Sequence, residues 1–268
     1  MHLVSIRIPF LRTIPSFLLA GLLFCSSAAA VYADSLIYET RFNKADTLSL
    51  EGGASLGAPG SGVSGKASDR AYDGNATNLA PGAAGPAAVV TSDLVPLDGI
   101  DELTITAWYK PRAEQNPPAI LYNGFGATLL WEKTNTWTLR LAAKVLNSDK
   151  QMYWFSSGGK PPLGSWMNLH EWTFIAIVWK KADNTAVFYQ GDAHTTLTEA
   201  AKVKRTDVIE SIKEGANPKR AIGNDWAKRD RAFNGGIDDV RFYSKALSSD
   251  TLDLIRQADL KDVPIMLP

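Results

Sequence analysis

The chain has 268 residues, with 28 Lys and Arg balanced by 28 Asp and Glu, 45% hydrophobic and 10% aromatic residues, and one cysteine. A balanced charge offers no broad basic surface of the kind that holds a nucleic acid, so none is expected as a partner. One cysteine excludes an internal disulfide framework.

Arg7 and Arg12 precede the apolar run Phe17–Phe24, and small residues lead to Val31-Tyr-Ala33 ahead of Asp34, the first acidic residue. That order is the pattern of a secretory signal over residues 1–33, with an exported domain over 34–268. The apolar part is shorter than the ~20 residues a membrane span needs, and no further span is expected after the signal is removed. The expected location is secreted, periplasmic or on the cell surface. Loss of residues 1–33 leaves 26 basic against 28 acidic residues and no cysteine, so the domain must be held by its core, by metal, or by both.

Leu36–Phe42 alternates as a first strand, and Gly52–Gly65, rich in Gly, Ala, Ser and Pro, predicts a long surface connection. A second such stretch runs from Leu79 to Pro86. Leu103–Tyr109 is a strand that stops at Lys110-Pro111, because proline cannot donate to a ladder. Trp172–Trp179 is apolar on both faces and turns through Lys180–Asn184 into Ala186–Tyr189, a hairpin around a central strand. Mixed apolar spacing over Glu199–Glu214 predicts a short helix.

Near the end, Asn234-Gly-Gly236 reads as a tight turn. In strict alternation it places Ile237, Asp239, Arg241 and Tyr243 on one face and Asp238, Val240 and Phe242 on the other. A carboxylate on a row with Val240 and Phe242 needs either a cation or several backbone donors. Ser248 or Ser249 then caps a helix with Leu252 and Ile255 on its apolar side. About 235 exported residues of short strands between frequent turns suit a single all-β sandwich.

Several of these segments resemble the laminin-G-like family of concanavalin-type jelly rolls. They are Gly62–Gly74 with its Tyr72-Asp-Gly, Leu103–Pro111, Glu171–Ala176, Val187–Asp192, and Phe233–Leu247 with Ile237-Asp-Asp-Val. The resemblance implies a concanavalin A-like, two-sheet antiparallel jelly-roll β-sandwich with a short C-terminal helix. It also implies a structural calcium, with Asp238 as the carboxylate ligand and Gly65 as a backbone ligand. Gln190-Gly-Asp192 departs from the family's Val-Asp-Gly, which removes any expectation of an acidic role there.

The paired carboxylates that retaining glucanases carry on one strand face are missing, since Glu132 has no carboxylate two or four residues on. His170 and His194 are the two histidines of the exported domain, and both read as surface turn residues. The expectation is therefore a non-catalytic binder of a polysaccharide or glycan, or of another extracellular protein. The alternative is a hydrolase or lyase whose catalytic residues the sequence does not reveal. Trp131, Tyr153 and Trp154 combine ring surface with middle-strand positions and are the candidate ligand platform. Trp108, Trp172 and Trp179 sit in strongly apolar strands and read as core.

Overall fold

The computed structural model describes residues 35–44, 48–77, 83–90, 99–115, 118–124, 127–133, 136–143, 153–158, 161–206 and 220–265. The segment 1–33 read as a secretory signal falls outside them, as do the first half of the Leu79–Pro86 stretch and residues 207–219. Two antiparallel sheets stack face to face. One takes β1 (Leu36–Thr40), β3 (Ser55–Leu56), β4 (Tyr72–Gly74), β6 (Glu102–Pro111), β11 (Thr173–Lys180), β12 (Thr185–Asp192), β13 (Thr198–Lys204) and β15 (Gly235–Tyr243). Its order is β13-β12-β11-β6-β15-β4-β3, with β1 also on β15.

The other takes β2 (Leu48–Glu51), β5 (Ala87–Val90), β7 (Ala119–Gly124), β8 (Ala127–Lys133), β9 (Trp137–Ala143), β10 (Tyr153–Ser156) and β14 (Ala221–Ile222), in the order β10-β9-β8-β7-β14-β5-β2. The expected hairpin forms: β11 and β12 pair along their whole length across the turn Lys181–Asn184, where Asn184 takes φ 49°. Such left-handed positions favour asparagine among non-glycine residues.

Alternation on the long strands sends Leu103, Ile105, Ala107 and Tyr109 of β6, and Ile175, Ile177 and Trp179 of β11, into the space between the sheets. Leu129, Trp131, Leu139, Leu141 and Phe155 meet them from the opposite sheet. Ring centroids 4.4 Å apart for Tyr122 and Phe242, and 4.7 Å apart for Tyr109 and Trp131, mark the sheet-to-sheet contact.

The segment read as a helix from Glu199 begins instead as a strand. Residues of β13 pair with β12, Val203 opposite Ala186 and Ala201 opposite Phe188, so cross-strand packing overrides an ambiguous period. The Gly52–Gly65 connection contains β3 and is firmly hydrogen-bonded. Gly57 donates to the Ala71 carbonyl at 2.8 Å and Gly60 to that of Asp69 at 2.9 Å.

Alternation fails on β15. Its register against β6 shifts between Asp238 and Arg241, and Asp239 takes φ 47°, the geometry of a β-bulge. Ile237, Val240 and Phe242 therefore face the core. Asp238 lies opposite Trp108 and shares the outer side with Arg241. The expected row joining Asp238 to Val240 and Phe242 does not exist, because the inserted residue reverses the faces beyond it.

That outer side is covered by α1 (Ser249–Lys261), which Ser248 caps by accepting from the Thr251 N–H and which buries Leu252 and Ile255. Asp259 of α1 accepts from Trp108 Nε1 at 3.0 Å and from Arg241 Nη1 at 3.1 Å. Burial, opposed by the Arg241 charge, pushes the Asp259 carboxyl up to about 7.

Candidate functional site

Beyond the end of α1's cover, the outer face of the larger sheet opens into a cleft of about 540 Å³. The ladder places Lys110 of β6 opposite Gly236 of β15, and Gly236 opposite Asp73 of β4. Trp172 precedes β11 on the far side of Lys110, whose ammonium stands 5.9 Å from the indole centroid. Gly236 thus forms a floor without a side chain between an aromatic wall and polar groups. A Cβ there would come within 3.0 Å of the Trp172 ring.

The rim carries Arg112, which pairs with Asp73 and donates to Asn234 Oδ1 at 3.1 Å. His170 is exposed at φ 65°, fixed by its N–H donating to the Pro111 carbonyl at 2.7 Å. Trp172 was expected in the core, and it is partly exposed. Its strand begins one residue later, at Thr173, so the ring projects at the sheet's end rather than between sheets. The rise in exposure at a strand terminus is the signal that an all-apolar run conceals.

The remaining wall is the loop Gly57–Gly65. Two buried carboxylates hold this loop from beneath. Asp238 Oδ2 accepts from the Val63 N–H at 2.9 Å, and Asp69 Oδ2 accepts from the Ser64 N–H at 2.8 Å. Asp69 lies so close under the loop that a Cβ on Gly62 would stand 2.3 Å from its carboxyl carbon. Only glycine fits at that position. Burial, with the Asp239 and Asp69 charges adding to it, holds Asp238 well above the usual carboxylate range.

Neither carboxylate has a Lys or Arg partner among the described residues, and Asp69 Oδ1 is buried with no hydrogen-bond partner. Asp239, by contrast, is paired with Arg41 and Arg241 at 2.9 and 3.0 Å. A hard cation fits the Asp69 and Asp238 pair, because it would supply the missing positive charge and the missing partner for Asp69 Oδ1. Gly65, the expected backbone ligand, lies in the same turn, its N–H bonded to the Gly62 carbonyl at 3.2 Å. Among the described residues no three His, Cys, Asp or Glu side chains converge, so backbone oxygens would have to complete such a set.

A family model described as the concanavalin A-like lectin/glucanases superfamily matches residues 83–253, well over half of the chain. The chain belongs to this superfamily. A comparison with curated protein sequences returned no match. Among solved structures, domain 4 of AbnA, an extracellular arabinanase of Geobacillus stearothermophilus in complex with arabinotriose, is similar at TM-score 0.54 and 15% identity. That likeness covers 83% of this chain and 98% of the domain.

The receptor-binding domain of botulinum neurotoxin mosaic serotype C/D is similar at TM-score 0.56 and 14% identity, over 84% of this chain and 51% of that one. The binding domain of Paraclostridial Mosquitocidal Protein 1 gives TM-score 0.54 and 12% identity, over 84% of this chain and 52% of that one. This chain spans about half of each toxin domain. At such identities these likenesses establish the fold.

The superfamily's scaffold does not assemble the expected aromatic platform. Trp131 has no exposed surface and packs in the core, 5.1 Å from Phe233. Its partner Leu139 across β9 is a core residue too. Trp154 pairs with Ala142, on the opposite side of the sheet from the core residues Leu139 and Leu141. One strand position of parity separates the two tryptophans, and they cannot share a ligand. Trp154 is half-buried, its ring covered by the Arg140 guanidinium at 4.7 Å. Tyr153 begins β10, and its side chain lies outside the described residues.

Proposed function

We propose that this protein is a non-catalytic glycan-binding domain that acts outside the cytoplasm and holds its ligand in the cleft beside Trp172. The observation that carries this reading is the pairing of a partly exposed indole with Lys110, Arg112, Asp73 and His170 around a glycine floor. Sugar rings present apolar CH faces to an indole, and their hydroxyls bond to charged side chains at the rim. Among the described residues Asp73 is the one carboxylate lining the cleft, and Arg112 engages it. Retaining or inverting hydrolysis needs two carboxylates, so binding is favoured over hydrolysis.

His170 next to Lys110 and Arg112 supports one second reading, a lyase that abstracts a proton while cations neutralise a uronate. Incubation with a panel of plant, algal and animal polysaccharides decides between them. Retention without reducing-sugar release or new ultraviolet absorbance supports binding, and new double bonds support the lyase. Failure to retain any polymer would overturn both. The arabinotriose bound by the arabinanase domain makes arabinan a fitting member of the panel.

The site includes a structural calcium held by Asp69, Asp238 and backbone oxygens of the Gly62–Gly65 turn. Its role is to fix the loop that walls the cleft. Two carboxylates make a set of modest affinity. Calcium at a hundred times its dissociation constant should raise the unfolding free energy by about 2.7 kcal/mol. Thermal melts in chelator and in calcium check this. Asp69→Asn should abolish the response, and an identical wild-type melt with and without calcium would remove the metal.

A further inference from the structure

Resting on the cleft as the glycan site, we propose that its ligand class is an acidic saccharide, one bearing a carboxylate or sulfate ester next to the ring that stacks on Trp172. The charges in the cleft do not cancel where the stacking occurs. Arg112 is taken up by Asp73 and by Asn234 Oδ1, so that pair is neutral as a unit. Lys110 has no carboxylate within salt-bridge distance among the described residues, and its ammonium stands over the Trp172 ring. It lies directly across the ladder from Gly236, with nothing but hydrogen on the floor between strands.

Besides Asp73, the carboxylates under the cleft wall are Asp69 and Asp238, which are buried beneath the Gly57–Gly65 loop and accept from the Val63, Ser64 and Asp239 amides. A saccharide whose CH face covers the indole therefore meets an unpaired ammonium at its edge. An ammonium is a compact point charge that a neutral hydroxyl satisfies poorly and an anionic oxygen satisfies well.

A partly enclosed cleft strengthens that contact, because the ligand's charge is drawn from water into surroundings of lower dielectric. The same site would bind a neutral sugar through stacking on the ring and hydroxyl contacts at the rim, only more weakly.

The test compares polygalacturonate with its methyl ester, chondroitin sulfate with desulfated, carboxyl-reduced chondroitin, and neutral arabinan and xylan, by affinity electrophoresis and calorimetry on the whole protein. Polygalacturonate or chondroitin sulfate should bind at least about tenfold tighter than its neutralised form, the weight of one charge-assisted hydrogen bond. That preference should shrink as salt rises from about 50 to about 500 mM. Which polymer shows it separates a carboxylate from a sulfate ligand.

Lys110→Met should erase the preference, so that each charged polymer binds this variant no more tightly than its neutralised form does. Lys110→Gln serves equally if the first variant shifts the melting midpoint. Equal affinity for charged and neutralised polymers, or a preference that survives both variants, would overturn the acidic class while leaving the glycan site intact. Loss of binding to every polymer by the wild type would instead overturn the glycan reading itself.

Discussion

Arg241→Met should lower the unfolding free energy by about 3–5 kcal/mol, the cost of breaking a buried ion pair from one side. The side chain is 2% exposed. Its guanidinium reaches Glu39 Oε1 at 2.7 Å, Asp239 Oδ1 at 3.0 Å and Asp259 Oδ1 at 2.9 Å, and so joins β1, β15 and α1. Methionine fills much of the volume but leaves Asp239 and Asp259 in a buried site with their main counter-charge gone. Arg41, at 26% exposure, still touches Asp239, while Asp259 retains only the Trp108 N–H. Urea unfolding at constant slope measures the change. Lys181→Met, which removes a surface pair with Asp101, sets the baseline at about 0–1 kcal/mol. A loss for Arg241→Met no larger than that baseline would show that the network under α1 is not what fastens the helix to the sheet.

Trp131→Ala should cost a further class of stability, about 3–5 kcal/mol, because it empties a fully buried indole site between the two sheets. Tyr109 at 4.7 Å and Phe233 at 5.1 Å lose their ring contacts, and neither sheet can close on the void without moving the other. Trp154→Ala, on the outer side of the same sheet, loses a half-buried ring and one cation–π contact with Arg140, worth about 0.5–1 kcal/mol at such a site. Parallel denaturation of the two variants checks the contrast. Equal and small losses would mean that Trp131 is a surface residue after all.

Those two tryptophans show where sequence is legible and where it is not. Both lie in short strands with aromatic neighbours, Trp154 on the edge strand β10 and Trp131 inside the sheet on β8, and period-2 parity decides which side each faces only once the partner strand and its register are known. Strand β11, with seven apolar or β-branched residues ending at a lysine, is legible because both of its faces are covered. The cap at Ser248 and the Leu252 and Ile255 face of α1 follow directly from residue type.

The bulge at Asp239 is not legible, since aspartate in a left-handed conformation leaves no mark in an alternating run. It decides the chemistry of Asp238, which turns from the core row to the buried pocket shared with Asp69. Asp69 itself follows a loop of small residues, and nothing local distinguishes it from a turn carboxylate. Its role emerges from Gly62 and Ser64 folding over it. The cleft is equally non-local: Asp73, Lys110, Trp172 and Gly236 come from four strand ends, and pairing alone brings them into one row.

The most direct test of glycan recognition in that row is calorimetric titration of the wild type, Trp172→Ala and Trp154→Ala with the tightest-binding polysaccharide of the panel. Trp172→Ala should weaken binding by about tenfold or more, as loss of an aromatic stacking surface does, with a melting transition near that of the wild type. Trp154→Ala should bind as the wild type does. Unchanged affinity in Trp172→Ala together with loss in Trp154→Ala would contradict the account and move the ligand to the outer face of the opposite sheet.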